Sequence, residues 1–156
     1  MPLPSYAVKH QVSKANPSLS SNIATIRVTP YSYTSNPEGK LAAKGEYIYV
    51  IETRYHTKTK TTYWLGYKYR AFNAEERPGG LKWNPTGKKE FKYKNTPKIG
   101  SPVQGYYFKE PVEIKDSIFI NWYLKATRGM LEIEAEFIPV LDKLFDDPSN
   151  DAQEYE

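Results

Sequence analysis

Apolar and polar residues alternate over several short stretches of this chain, and a period of two marks strands buried on one face. Regular structure is expected to begin at Ile23, where Ala24, Ile26 and Val28 alternate with Thr25, Arg27 and Thr29 until Pro30 marks an edge or a bend. Residues Tyr47 to Tyr55 are β-branched and aromatic, a Thr-Lys-Thr-Lys-Thr turn follows, and Thr62 to Phe72 continues in the same style. Together they predict a long hairpin. Strict alternation on its second strand puts Tyr63, Leu65, Tyr67, Tyr69 and Ala71 on a core face, with Trp64, Gly66, Lys68, Arg70 and Phe72 opposite.

Asn73 to Gly87, punctuated by Pro78-Gly79-Gly80 and Asn84-Pro85, reads as a long loop. Lys88 to Lys94 then repeats the hairpin pattern, with Phe91 and Tyr93 on one side and Lys88, Glu90, Lys92 and Lys94 on the other. Short strands are expected at Gln104 to Phe108 and Val112 to Ile114. A second hairpin is expected from Ser117 to Ala126, a turn at Thr127-Arg128-Gly129, and Leu131 to Ile138. In it Ile118, Ile120, Trp122 and Leu124 face inward, and Glu132, Glu134 and Glu136 point away from Leu131, Ile133, Ala135 and Phe137. Val140, Leu141, Leu144 and Phe145 have the spacing of a short amphipathic helix.

These segments divide the chain into an extended N-terminal arm over residues 1–22, a single β-rich domain over 23–145 and an acidic tail over 146–156. The arm mixes Pro, Ser, Asn and Lys without a period and reads as a segment that needs a partner to become ordered. Seven or so short strands without alternating helices predict a mainly β fold, either an antiparallel barrel or a two-sheet sandwich, OB-like or jelly-roll-like.

Composition changes this picture in two ways. The 14 Tyr, 6 Phe and 3 Trp supply large rings for core and interface, so the core need not be rich in Leu. The absence of Cys excludes disulfides, thiolate zinc sites and cysteine nucleophiles. The N-terminus lacks the apolar run of a signal peptide, and no stretch approaches the ~20 apolar residues of a membrane span. The sequence reading is therefore a cytoplasmic or virion-associated protein that does not engage a membrane.

The net charge of +4 conceals a sorted distribution: residues 54–98 hold twelve Lys or Arg against three Glu, and residues 142–156 hold six acids against Lys143. Such sorting points to a charged partner or a self-contact. The basic stretch interleaves cations with rings: Tyr55, Lys58, Lys60, Trp64, Lys68 and Arg70 on the hairpin, Trp83 in the loop, then Lys92 and Lys94. Single-stranded nucleic acid is held by that combination, cations on phosphates and rings under bases. The plainer account is that the Lys and Arg residues solvate an outer sheet face and blunt its edges.

Catalytic signals are weak. His10 and His56, the only two histidines, lack a nucleophile or partner at useful spacing, and Gly79-Gly80 is not followed by the Gly-Lys-Ser or Gly-Lys-Thr of a phosphate loop. The reading thus assigns no catalytic residue, no metal and no cofactor. It favours a non-enzymatic binder of single-stranded nucleic acid. The alternative is a structural assembly protein, a phage or virus coat, decoration or tail component whose arms make homo-oligomer or other protein contacts. A metal-dependent nuclease built on Glu132, Glu134 or the Glu75-Glu76 pair is the minor alternative.

Overall fold

A computed structural model describes residues 3–11, 18–21, 23–34, 38–78, 91–126 and 130–155. The hairpin read from the sequence is its centre. Strand β3 (Ile48–Tyr55) pairs antiparallel with β4 (Thr61–Tyr69), from Ile48 opposite Tyr69 to Tyr55 opposite Thr61. β1 (Tyr6–Gln11) runs parallel to β3 on its other side, β8 (Met130–Glu132) edges β1, and β7 (Gly105–Glu113) followed by β9 (Gln153–Glu154) extends the sheet beyond β4. The resulting six-stranded mixed sheet has the order β8-β1-β3-β4-β7-β9, and a separate three-stranded sheet has the order β2 (Ser32–Thr34), β6 (Phe91–Thr96), β5 (Asn73–Pro78).

The fold is mainly β, as the alternation predicts, but it is not a closed barrel. β8 and β9 remain as edges. Closure is unnecessary because both faces of the large sheet are covered by other elements. On one face, α3 (Ser117–Ala126) and α4 (Ile138–Asp146) bring Phe119, Tyr123, Leu141 and Phe145 onto Tyr49, Ile51, Tyr63 and Leu65. Phe108 stacks on Phe145 with centroids 4.6 Å apart. On the other face, Leu19, Ile26 of α1 (Ile23–Ile26) and Ala42 of α2 (Glu38–Ala42) pack with Tyr6, Val8, Ile48, Val50, Tyr67 and Tyr69. The Tyr69 hydroxyl donates to the Asn95 carbonyl at 2.8 Å and shares a 2.7 Å hydrogen bond with the Ser32 hydroxyl, which ties the two sheets together.

Several expectations are corrected. The segment expected as an arm contains β1, hydrogen-bonded on both sides, with Tyr6 and Val8 buried on one face and Ala7 on the other. A strand buried on both faces shows no polar alternation, which is why the sequence pattern hid it. Residues 23–26 form a helical turn, of which only Ile26 is buried. Residues 117–126 form a helix rather than a strand. The Asp116 carboxylate caps it by accepting from the Phe119 amide at 2.9 Å, and Phe119 and Tyr123, four apart, reach the core together. The apolar residues of 118–124 fit either a strand or a buried helix, and the Asp116 cap favours the helix.

As a consequence, Glu132, Glu134 and Glu136 do not share a strand face. Glu132 ends β8, while Glu136 lies in the 3₁₀ turn Ala135–Phe137, for which Glu134 is the N-cap. The expected loop after Asn73 begins with strand β5, and β7 joins the two short strands expected at 104–114. The acidic tail is also tied down: Tyr155 is buried, and its amide donates to the Gly105 carbonyl at 3.1 Å. The short helix expected around Leu141 and Phe145 is α4.

Candidate nucleic-acid interface

The side-chain alternation of β4 is interrupted at Gly66. Ile51 pairs with Leu65 but Val50 pairs with Tyr67, so one residue of β4 is bulged out and the faces exchange. Tyr63 and Leu65 point to the helix side, whereas Tyr67 and Tyr69 point to the opposite side. A Cβ on residue 66 would lie 2.3 Å from Leu19 Cδ1, so glycine lets Leu19 pack directly over the bulge. Trp64 and Lys68, expected on one basic face, therefore lie on opposite faces.

Lys68 is consequently a core residue. Its ammonium sits 4.7 Å from the Tyr47 ring centroid, 5.1 Å from Phe145 and 5.5 Å from both Tyr49 and Tyr106. Asp142 of α4 accepts from its Nζ at 2.8 Å and, through the same oxygen, from the Tyr49 hydroxyl at 2.6 Å. Burial, reinforced by that hydrogen bond, holds the Tyr49 phenol well above its ordinary range. Gly105, with φ at +145°, lies so close that a Cβ there would sit 2.1 Å from the Lys68 carbonyl. This cation closes the helix-to-sheet interface, with its side chain only 9% exposed.

Trp64 is half-buried, with the Arg54 guanidinium 4.2 Å above its ring and its indole N–H donating to the Thr62 hydroxyl at 2.7 Å. Arg54 in turn donates to Glu52 at 2.6 Å, a buried carboxylate that also accepts the Leu19 amide at 2.7 Å. The ring is thus already stacked. Tyr55, Lys58 and Lys60 are exposed at the hairpin tip, and Arg70 lies at the far end of β4 with its guanidinium 5.2 Å from the Phe72 ring. Trp83 and the Lys92 side chain lie outside the described residues, although β6 includes position 92.

Among the described residues, one combination of a cation with two rings lies on the three-stranded sheet. In β2, Ser32 and Thr34 are buried and Tyr33 between them is 41% exposed. In β6, Tyr93 and Asn95 are buried and Lys94 faces outward beside Tyr33. Tyr31 and Tyr33 meet edge to face with centroids 5.4 Å apart, and the Lys94 ammonium lies 5.3 Å from the first ring and 5.8 Å from the second. Glu75 completes the cross-strand row.

This face continues into an open groove of about 760 Å³ whose lining includes Asn73, Thr96, Lys98, Ile99 and Val28. Ile99 is 88% exposed, and the Lys98 ammonium lies 6.0 Å from the exposed Phe72 ring. Of the sequence-derived candidates, Lys94 is therefore joined by Tyr31, Tyr33, Phe72 and Lys98, which sequence reasoning left out. The signal for the first pair was present in Tyr31-Ser32-Tyr33, a period-two aromatic pattern.

Among the described residues no group of three or more His, Asp or Glu is placed to hold a metal ion, and no helix is long and apolar enough to cross a membrane. Comparison with known protein families, with curated proteins and with solved structures finds no match.

Proposed function

We propose that this protein binds single-stranded nucleic acid, without chemistry on it, along the outer face of the three-stranded sheet. The observation that carries this reading is the Tyr31, Tyr33 and Lys94 cluster, in which a cation meets two rings and Tyr33 is exposed among the described residues. An exposed ring accepts a base face of any identity, and an adjacent ammonium neutralises the phosphate between stacked bases. Phe72 with Lys98 and Arg70 repeats the pairing nearby. The excess of cations over residues 54–98 adds a general attraction for a polyanion. Tyr55, Lys58 and Lys60 are outlying contacts at the hairpin tip, and Lys68 is not a contact.

Fluorescence anisotropy with a labelled oligothymidine across a salt series tests this. Affinity is expected to fall steeply with salt. Tyr33→Ala should weaken binding by roughly 5- to 150-fold, the loss of one stacked base, and leave the salt slope unchanged. Lys94→Ala should lower the slope by about 0.7, the contribution of one phosphate contact on a single strand. Binding that ignores salt, or that survives Tyr33→Ala intact, would sink the proposal.

A second reading, self-assembly, is favoured by the outer side of α3, where Ile118 is 70% and Leu124 51% exposed. Light scattering distinguishes it: particle mass that grows with concentration in the absence of nucleic acid, and is cut back by Ile118→Lys, would favour a coat or scaffold role.

A further inference from the structure

The bulge at Gly66 that turns Lys68 into the core has a second effect, on the opposite face of the sheet. Because the faces of β4 exchange there, Tyr67 and Tyr69 point toward the three-stranded sheet rather than toward α3 and α4. Each hydroxyl bonds to backbone beside the proposed site. Tyr67 donates to the Tyr31 carbonyl, and Tyr69 donates to the Asn95 carbonyl at 2.8 Å. A phenol has one proton, so with Tyr69 donating to Asn95 the 2.7 Å contact to Ser32 is a bond in which the Ser32 hydroxyl donates. Ser32 and Asn95 face each other across β2 and β6, and the next pair along the ladder is Tyr33 with Lys94. Tyr69 therefore bridges the two strands one step from the cation and the ring. The bridge is stiff: Tyr69 is fully buried, and so is Asn95, which donates from Nδ2 to the Gly39 carbonyl of α2 at 2.8 Å.

Resting on the single-strand reading above, we infer that Tyr69 is a positioning residue of that site: its hydroxyl fixes β2 against β6 and so holds the Tyr33 ring in register with the Lys94 ammonium. A base on the ring and a phosphate on the ammonium belong to one strand, so the pair acts as a unit only while its separation is fixed, and such separations are held by buried hydrogen bonds behind the contacting groups. A strand of three residues, the length of β2, makes few ladder bonds, which gives the side-chain tie at Ser32 a large share in its placement. Holding the pair ready lowers the ordering cost of binding. Its effect therefore falls on affinity and not on the number of phosphates neutralised.

The test is anisotropy with labelled oligothymidine on Tyr69→Phe, which removes the hydroxyl and keeps the ring, beside Tyr33→Ala and the double variant that carries both changes. Tyr69→Phe should weaken binding roughly 2- to 10-fold, the equilibrium worth of one hydrogen bond, with the salt slope unchanged. In the Tyr33→Ala background the same change should leave affinity unaltered, because no ring remains to be aligned. Ser32→Ala, which cuts the bridge from the β2 side, should repeat both results and carries the test if Tyr69→Phe fails to fold. A Tyr69→Phe protein that binds as the wild type does would overturn the inference and leave the single-strand reading standing. So would an equal loss in both backgrounds, which marks a general loss of folded protein rather than a misaligned pair. Failure of the wild-type protein to bind would remove both.

Discussion

Lys68 and Lys94 make the same kind of contact in opposite settings. Each is flanked by a buried tyrosine in its strand, Tyr67 and Tyr69 in one case and Tyr93 in the other, and each points its ammonium at tyrosine rings on neighbouring strands. The difference is what lies above. Helix α4 covers Lys68 and supplies Asp142 and Phe145, whereas the face bearing Lys94 carries an exposed Tyr33 and opens into a groove. Cation and ring together do not define a binding site; a covering layer turns the same pair into a core contact, whereas beside Lys94 the Tyr33 ring stays exposed among the described residues.

The largest expected effect on this contrast comes from alkaline pH, which reaches the closed site through Tyr49. Burial raises the phenols of Tyr49, Tyr67, Tyr69, Tyr123 and Tyr155 above the ordinary value. In the unfolded chain the same phenols ionise near pH ~10. Above that pH the unfolded state binds fewer protons than the native state, so stability should fall with rising pH, by about 1.4 kcal/mol per unit for each such phenol. Urea midpoints should be level at mildly alkaline pH and drop steeply above pH ~10; a level profile throughout would show that these rings are not buried in solution.

Asp142→Ala comes next. It strands the Lys68 ammonium under α4 and should cost about 2–3 kcal/mol in urea unfolding, below the usual range for a broken buried pair because Asp142 is one-third exposed. Lys68→Met should cost less, about 1 kcal/mol, because it removes the charge while keeping an unbranched chain among the rings. If Lys68→Met proved the worse of the two, the ion pair would matter less than the cation-ring contacts. The smallest effect on stability is expected for Lys94→Ala, about 0.5 kcal/mol for an exposed cation-ring contact. A loss as large as that of Asp142→Ala would mean that the open site is structural too, and would erase the contrast.

The hairpin of β3 and β4 was legible from β-branched and aromatic runs on either side of a polar turn, and α4 from the spacing of Leu141 and Phe145. The faces of β4 were not. Alternation carries no sign of a bulge, so Lys68 reads as a companion of Trp64 until the pairing of Val50 with Tyr67 is known. The exposure of Tyr33 depends on partners distant in sequence: Ser32 and Thr34 turn inward to meet the other sheet, which leaves Tyr33 outside.

What the sequence determined by itself was therefore local and compositional: strand-rich character, a ring-dominated core without cysteine, and cations concentrated over residues 54–98. Tertiary structure decided which cations are buried and which are offered. Charge and ring content are properties of each residue, but access to solvent is a property of the layers stacked over it. Those layers are set by long-range pairings, with β1 beside β3, α4 over β4 and β2 against β6, that no local period encodes.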